Sequence, residues 1–411
     1  MKSWLEIPNN SDFSLHNLPF GMFEFDGRPT PGIAVGDYIV NLRACAESGM
    51  LDSSGVQTSV FESNHLNDFI GQGKAKTGAV RQIIQNQLTE QSSILHLNKS
   101  KLLCDRLTAT MCMPVQIGDY TDFYSSIEHA TNVGKMFRPD NPLLPNWKHI
   151  PVGYHGRASS IVVSGTDIHR PKGQLMPPDA EAPIFSASKR MDFELEMAFI
   201  VGKPTKMGDA ISTADAEDYI FGMVSFNDWS ARDIQKWEYV PLGPFLGKNF
   251  GSTISPWIIP MEALEPFRTS GPSQDPKPLP YLEFEGDKSF DIKLEVSIRP
   301  ENGEENIVCR SNFKYMYWNM AQQLAHHTVN GCNVAIGDMM ASGTISGPSK
   351  GSFGSMLEIS WGGKEAIELN DGSSRTFIND NDTVNVKAYC EKDGVRIGFG
   401  QCEGKVLPAK Q

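Results

Sequence analysis

Apolar residues recur along this chain in short runs separated by glycine- and proline-bearing turns. Gly32-Ile33-Ala34-Val35 and Asp37-Tyr38-Ile39-Val40 read as two short extended runs. From Thr77 to Leu88 the spacing changes, and Val80, Ile83, Ile84 and Leu88 recur at helical intervals, which predicts a helix there. Together these runs describe a small α+β unit. Met113-Pro114-Val115-Gln116-Ile117-Gly118 then interrupts any regular element, because proline biases its predecessor to extended geometry and glycine breaks the run. A domain boundary is placed there, giving an N-terminal domain at 1–117 and a larger one at 118–411.

Past that point short alternating strands and turns fill most of the length, and with 37 Gly and 26 Pro in the chain this favours a mainly β (α+β) roll or barrel over regular βαβ units. One helix is predicted from Tyr317 to Val329, where Tyr317, Met320, Ala321, Leu324 and Thr328 make a stripe and Asn330-Gly331 supplies a C-cap. Pro272 to Pro280 reads as a surface loop.

A length of 411 residues suggests two or three units and a sizeable core. The net charge of −12 argues against nucleic acid or an anionic membrane as partner and favours a cation or small molecule. There is no apolar run of membrane-spanning length, and the opening Met1-Lys2-Ser3-Trp4-Leu5-Glu6 turns polar too soon for a secretory signal. The seven cysteines are scattered, with no CxxC pair, as in a reducing compartment. A cytoplasmic protein is expected.

Several segments carry groups with chemistry. Asp192-Phe-Glu-Leu-Glu-Met alternates, so Asp192, Glu194 and Glu196 share one strand face opposite Phe193, Leu195 and Met197. Two carboxylates about 7 Å apart by strand rise can reach one hard cation, although a solvated outer face has the same pattern. Phe221 to Asp228 reads as a buried strand, and if a helix starts at its end, Asp228, Arg232, Gln235 and Tyr239 share a face. An N-cap role for Asp228 is the plain alternative. Asp119-Tyr-Thr-Asp122-Phe-Tyr124-Ser-Ser-Ile-Glu-His129 is dense in metal-binding and proton-transferring groups. His129 suits a general base but needs an orienting carboxylate, for which Glu358 is a candidate because Leu357, Ile359 and Trp361 would occupy the opposite strand face. The turns around Lys248 and Ser252 and around Thr344 let backbone approach a ligand but match no nucleotide-binding glycine pattern.

These segments resemble the fumarylacetoacetases over nearly the whole chain. The resemblance rests on Ser3-Trp-Leu-Glu-Ile-Pro and Asn17-Leu-Pro-Phe-Gly near the start. It continues through Asp119-Tyr-Thr-Asp-Phe-Tyr-Ser-Ser, Pro151-Val-Gly-Tyr-His-Gly-Arg, Asp192-Phe-Glu-Leu-Glu, Asn227-Asp-Trp-Ser-Ala-Arg-Asp-Ile-Gln and Gly343-Thr-Ile-Ser-Gly. It implies an SH3-like N-terminal barrel, a β-roll catalytic domain and a homodimer. It also implies that Asp122, Glu194, Glu196 and Asp228 bind Ca²⁺ or Mg²⁺. A second Mg²⁺ is implied near Asp228, with contributions from Lys248 through its backbone carbonyl and from Ser252, which stands where the family commonly has threonine. His129 is implied as general base with Glu358 as its partner, Arg232, Gln235 and Lys248 as oxyanion stabilisers, and Tyr124, Arg138, Tyr154, Gln235, Tyr239 and Thr344 as substrate contacts. The loop after Arg138 is shorter than is usual in the family.

The activity implied is hydrolysis of the carbon–carbon bond of 4-fumarylacetoacetate, a small diketo acid, to fumarate and acetoacetate, ending tyrosine and phenylalanine catabolism. An acylpyruvate hydrolase or 2-oxo-acid decarboxylase on the same fold is the alternative, and a non-catalytic binding protein would have a broken base, oxyanion set or metal cluster.

Overall fold

A computed structural model describes residues 2–411, so Met1 of the opening segment lies outside it. The N-terminal strands β1 (Phe20–Phe25), β2 (Arg28–Val35), β3 (Tyr38–Asn41) and β4 (Leu103–Asp105) form an antiparallel meander. Helix α1 (Lys74–Thr89) buries Val80, Ile84 and Leu88 against this unit, as their spacing requires.

Strands β5 (Tyr120–Phe123), β6 (Gly153–His155), β7 (Leu195–Val201), β8 (Ile220–Asp228), β9 (Ser252–Ile254) and β10 (Trp257–Pro260) follow. A second, five-stranded sheet holds β11 (Lys293–Arg299), β12 (Asn306–Asn312), β14 (Thr383–Lys392) and β15 (Val395–Leu407) with the short strand Ile168–His169, while β13 (Met339–Ala341) joins the first sheet. The first sheet runs in the order β4-β3-β2-β1-β10-β8-β7-β13-β5-β6. It crosses residue 117 without a break, because β1 pairs with β10 through Phe20↔Ile258 and Gly21↔Trp257. The architecture is mainly β, as its sequence pattern predicts.

Strand alternation divides the apolar residues between two cores. Met197, Phe199, Val201, Met223 and Met340 point into the core shared with the five-stranded sheet. Ala198, Ile200, Val224, Phe226, Ile254 and Ala341 point to the other face, where the N-terminal residues cover them. Glu196 and Asp228 have the same parity as this second set, so they lie on that face at the end of β7 and β8, with Asp122 on β5 and Ser252 on β9 beside them. The alternation that builds the core thus also collects the carboxylates.

Three local expectations are corrected. The late helix, α4 (Met320–Thr328), starts after Tyr317, because Asn319 and Gln322 form a capping box and Trp318 is held by the Trp147 carbonyl at 3.1 Å. No helix starts at Asp228. β8 continues through it, paired with Ser252, and α3 (Arg232–Glu238) begins only after Trp229 has turned inward to donate to Thr253 Oγ1 at 2.9 Å. The helical face running from Asp228 therefore does not exist, and Tyr239 is the C-cap residue. Glu358 lies not on a strand but in the short helix α5 (Met356–Ile359), because Ser355 caps it. The 272–280 segment is a loop, as expected.

Candidate metal and catalytic site

Asp122, Glu194, Glu196 and Asp228 each offer a carboxylate oxygen within 4.8 Å of the others, and all four are buried. The solvated-face alternative for Glu194 and Glu196 is thereby excluded. Asp228 is the most heavily engaged, accepting from Lys248 Nζ at 2.7 Å, Tyr154 OH at 2.8 Å and Ser252 Oγ at 2.8 Å. Glu194 accepts from Lys248 Nζ and pairs with Arg232 at 2.8 Å. Asp122 Oδ1 and Glu196 Oε1 are buried with no partner among the described residues. Buried charges are ordinarily paired or bound to a cation, and an all-oxygen set with two orphaned carboxylate atoms fits a hard divalent ion.

The electrostatics agree. Burial and the neighbouring carboxylates raise Asp122 and Glu196 well above the usual carboxylate range. Burial alone would raise Glu194 too, but Lys248 and Arg232 more than offset it and hold it below that range. Lys248 is likewise pushed down by burial and more than restored by Asp228 and Glu194, so it stays protonated and its amine cannot ligate. Raised carboxylates stabilise the metal-free fold below the usual carboxylate range, and that contribution is lost as pH rises through the raised values. A cation must displace the same protons. Divalent-cation affinity is therefore expected to climb as pH rises through the raised values, by calorimetric titration, and a pH-independent affinity would contradict the cluster's role.

His129 sits in helix α2 (Ile127–Phe137), capped by Ser126, and its Nδ1 lies 2.7 Å from Glu358 Oε2. Both side chains are buried. Glu358 also accepts from Asn132 Nδ2 at 2.9 Å, Ser346 Oγ at 2.8 Å and Ser355 Oγ at 3.0 Å. Burial alone would raise this carboxyl, but His129 and these donors hold it below its ordinary value, so it is an ionised anchor at neutral pH. A carboxylate at Nδ1 fixes that nitrogen as the proton-bearing one and leaves Nε2 as the basic atom.

Arg232 Nε donates to Asp192 Oδ2 at 2.8 Å, NH1 reaches Glu194 and Gln235 Oε1, and the buried NH2 has no partner among the described residues. Tyr124 stacks edge-on to His129 at 5.1 Å between centroids. Thr344 is buried next to Gly343, whose N–H donates to Glu196 Oε2 at 3.1 Å. The structure therefore brings together Asp122, Glu194, Glu196, Asp228, Lys248, Ser252, Tyr154, Arg232 and Gln235, while His129, Glu358, Tyr124 and Thr344 adjoin them. Two residues are exposed. Tyr239 caps the end of α3, and Arg138, whose charge reaches Tyr124, donates to its own loop at Pro142 O. Sequence reasoning passed over Asn132, Ser346 and Ser355, and placed Asp192 on the face of Glu194 and Glu196 without giving it a role. Asn132 lies one helical turn past His129, and Asp192 has the parity of Glu194 and Glu196, so both carried a usable signal.

Comparison with known proteins accords with this geometry. Residues 16–114 match the family description "Fumarylacetoacetase N-terminal" and residues 120–407 match "Fumarylacetoacetate (FAA) hydrolase C-terminal". Fumarylacetoacetase of Bos taurus is 54% identical over 414 residues, covering 99% of each chain, and that of Caenorhabditis elegans is 53% identical over 418 residues, covering 100% of each. Among solved structures, a fumarylacetoacetate hydrolase from Exiguobacterium antarcticum shares the fold with a TM-score of 0.54 at 17% identity, covering 95% of this chain and 99% of its own. Two domains in order and half the residues in common over full length leave one assignment: the chain belongs to the fumarylacetoacetate hydrolase family.

Proposed function

We propose that this chain hydrolyses 4-fumarylacetoacetate to fumarate and acetoacetate, the last step of tyrosine and phenylalanine catabolism. The observation that carries the reading is a base dyad, an arginine with a free buried N–H and a four-carboxylate cluster in one site, in a chain 54% identical to a fumarylacetoacetase over its full length.

His129 Nε2 takes a proton from water while Glu358 holds Nδ1–H and stabilises the imidazolium that results; a base of this kind contributes about 10² to 10⁴ in rate. The hydroxide adds to a ketone carbon of the substrate, and the charge that gathers on its oxygen is met by Arg232, Gln235 and Lys248. Collapse of that alkoxide breaks the carbon–carbon bond, and the electron pair leaves on the second fragment as an enolate that takes up a proton. Tyr124, Arg138, Tyr154, Gln235, Tyr239 and Thr344 hold the substrate, with Arg138 and Tyr239 approaching it from exposed positions. Ca²⁺ or Mg²⁺ held by Asp122, Glu194, Glu196 and Asp228, with Ser252 and the Lys248 carbonyl serving a second Mg²⁺, would supply Lewis acidity toward the diketo oxygens.

The same reading takes residues 1–117 as an SH3-like barrel and 118–411 as a β-roll catalytic domain, in a cytoplasmic homodimer. Exposed Trp237 near the end of α3 and exposed Val240, Leu242 and Phe245 in the segment after it support a subunit contact. No helix among the described residues is long and apolar enough to cross a membrane.

Spectrophotometric loss of fumarylacetoacetate with fumarate appearing, abolished by a chelator and restored by Mg²⁺ or Ca²⁺, is the expected result. Absence of turnover by folded, metal-loaded protein would overturn the reading, and release of carbon dioxide would turn it toward a decarboxylase.

A further inference from the structure

The mechanism leaves the buried carboxylate of Asp192 unused. Asp192 closes the short strand Met191–Asp192, is fully buried, and has three donors. Its Oδ1 accepts from Met356 N at 2.7 Å, and its Oδ2 accepts from Leu357 N at 3.0 Å and from Arg232 Nε at 2.8 Å.

Those partners are not a random set. The first N–H groups of a helix have no intrahelical acceptor, and α5, with four residues, has few other bonds to hold it. Ser355 Oγ takes the N–H of Glu358, and Asp192 takes the two before it, so every N–H of the first turn is accounted for. The residue this turn carries is Glu358, which orients His129. On its other side the same carboxylate fixes Arg232 through Nε, with Glu194 fixing NH1, and this leaves NH2 as the guanidinium nitrogen without a protein partner. Neutralising Arg232 does not by itself require Asp192, since Glu194 already pairs with it.

We infer that Asp192 is a positioning residue that holds the His129–Glu358 dyad and the Arg232 guanidinium in one frame, setting the spacing between the proton acceptor and the oxyanion donor. This rests on the hydrolase reading above. Catalytic geometry is sensitive to displacements of about 1 Å, which cost about 10²-fold in rate.

The test is Asp192→Asn. The amide keeps the shape but puts a donor where one of three donors must be met. In the folded variant kcat is expected to fall about 10²-fold with KM and divalent-cation affinity nearly unchanged. The far-downfield proton NMR resonance of His129 Nδ1–H, bonded to Glu358, is expected to shift or broaden. A purely structural aspartate would lower the thermal midpoint while leaving kcat per folded molecule and that resonance as in the wild type, and this result would overturn the inference. If Asp192→Asn does not fold, Asp192→Glu keeps the charge but moves the carboxylate by one methylene and is read the same way. Wild-type protein with no turnover would defeat the hydrolase reading, whereas the resonance reports on Asp192 regardless of the substrate.

Discussion

Replacing His129 with alanine is expected to lower kcat by about 10² to 10⁴-fold while the protein still folds and binds its cation. The fold survives because Glu358, though buried, keeps three other donors in Asn132, Ser346 and Ser355, so its charge is not orphaned when the imidazole is removed. The cation is retained because His129 is not one of the four clustered carboxylates. Steady-state kinetics alongside a thermal melt and a Ca²⁺ titration would check this. Turnover near the wild-type value in that variant would remove His129 from the role of base.

Glu196→Gln is expected to separate two properties. Glu196 is fully buried, receives the Gly343 N–H on one oxygen, and has no partner on the other. Glutamine preserves the shape and removes one of several like charges that raise one another, so the metal-free protein is expected to melt no lower than the wild type. Divalent affinity is expected to fall by at least about 10²-fold, since even partners one bond removed from a metal are worth about 10 to 100-fold. Activity at limiting cation falls with it. Calorimetric titration with paired thermal melts of the chelated forms measures both. Unchanged affinity would mean that this cluster does not hold the ion.

Much of this site was legible in the sequence because strand alternation has a period of two. Phe193-Glu194-Leu195-Glu196 announces two carboxylates on one face without any knowledge of the fold. What alternation does not reveal is which face is buried. A polar strand face is ordinarily the solvated one, and here it is buried where β5 and β8 add more acids and the turn before β9 adds Lys248 to the same spot. The pairing of His129 with Glu358 spans 229 residues of sequence, so its contact was reached through family resemblance and not through local pattern. A helix starting at Asp228 is compatible with the sequence because its apolar strand passes directly into Arg232 and its polar neighbours, and the Ser252 pairing shows that the strand continues through Asp228 instead. The 320–328 helix was overextended because Tyr317 fits the apolar stripe while Asn319 fits the cap equally well. The capping box decides between them.

The hydrogen-bonded seam between Phe20-Gly21 and Trp257-Ile258 bears on cooperativity. β8 presents Val224 and Phe226 to the N-terminal core and then ends in Asp228, so a single strand is both floor of one core and wall of the reaction chamber. A defect in the core that Val224 shares, such as one at Val80 or Ile84, is transmitted as lost folding free energy shared by the entire chain and not as damage to a detachable module. In a cell such substitutions diminish the number of active molecules and leave each surviving molecule fully competent.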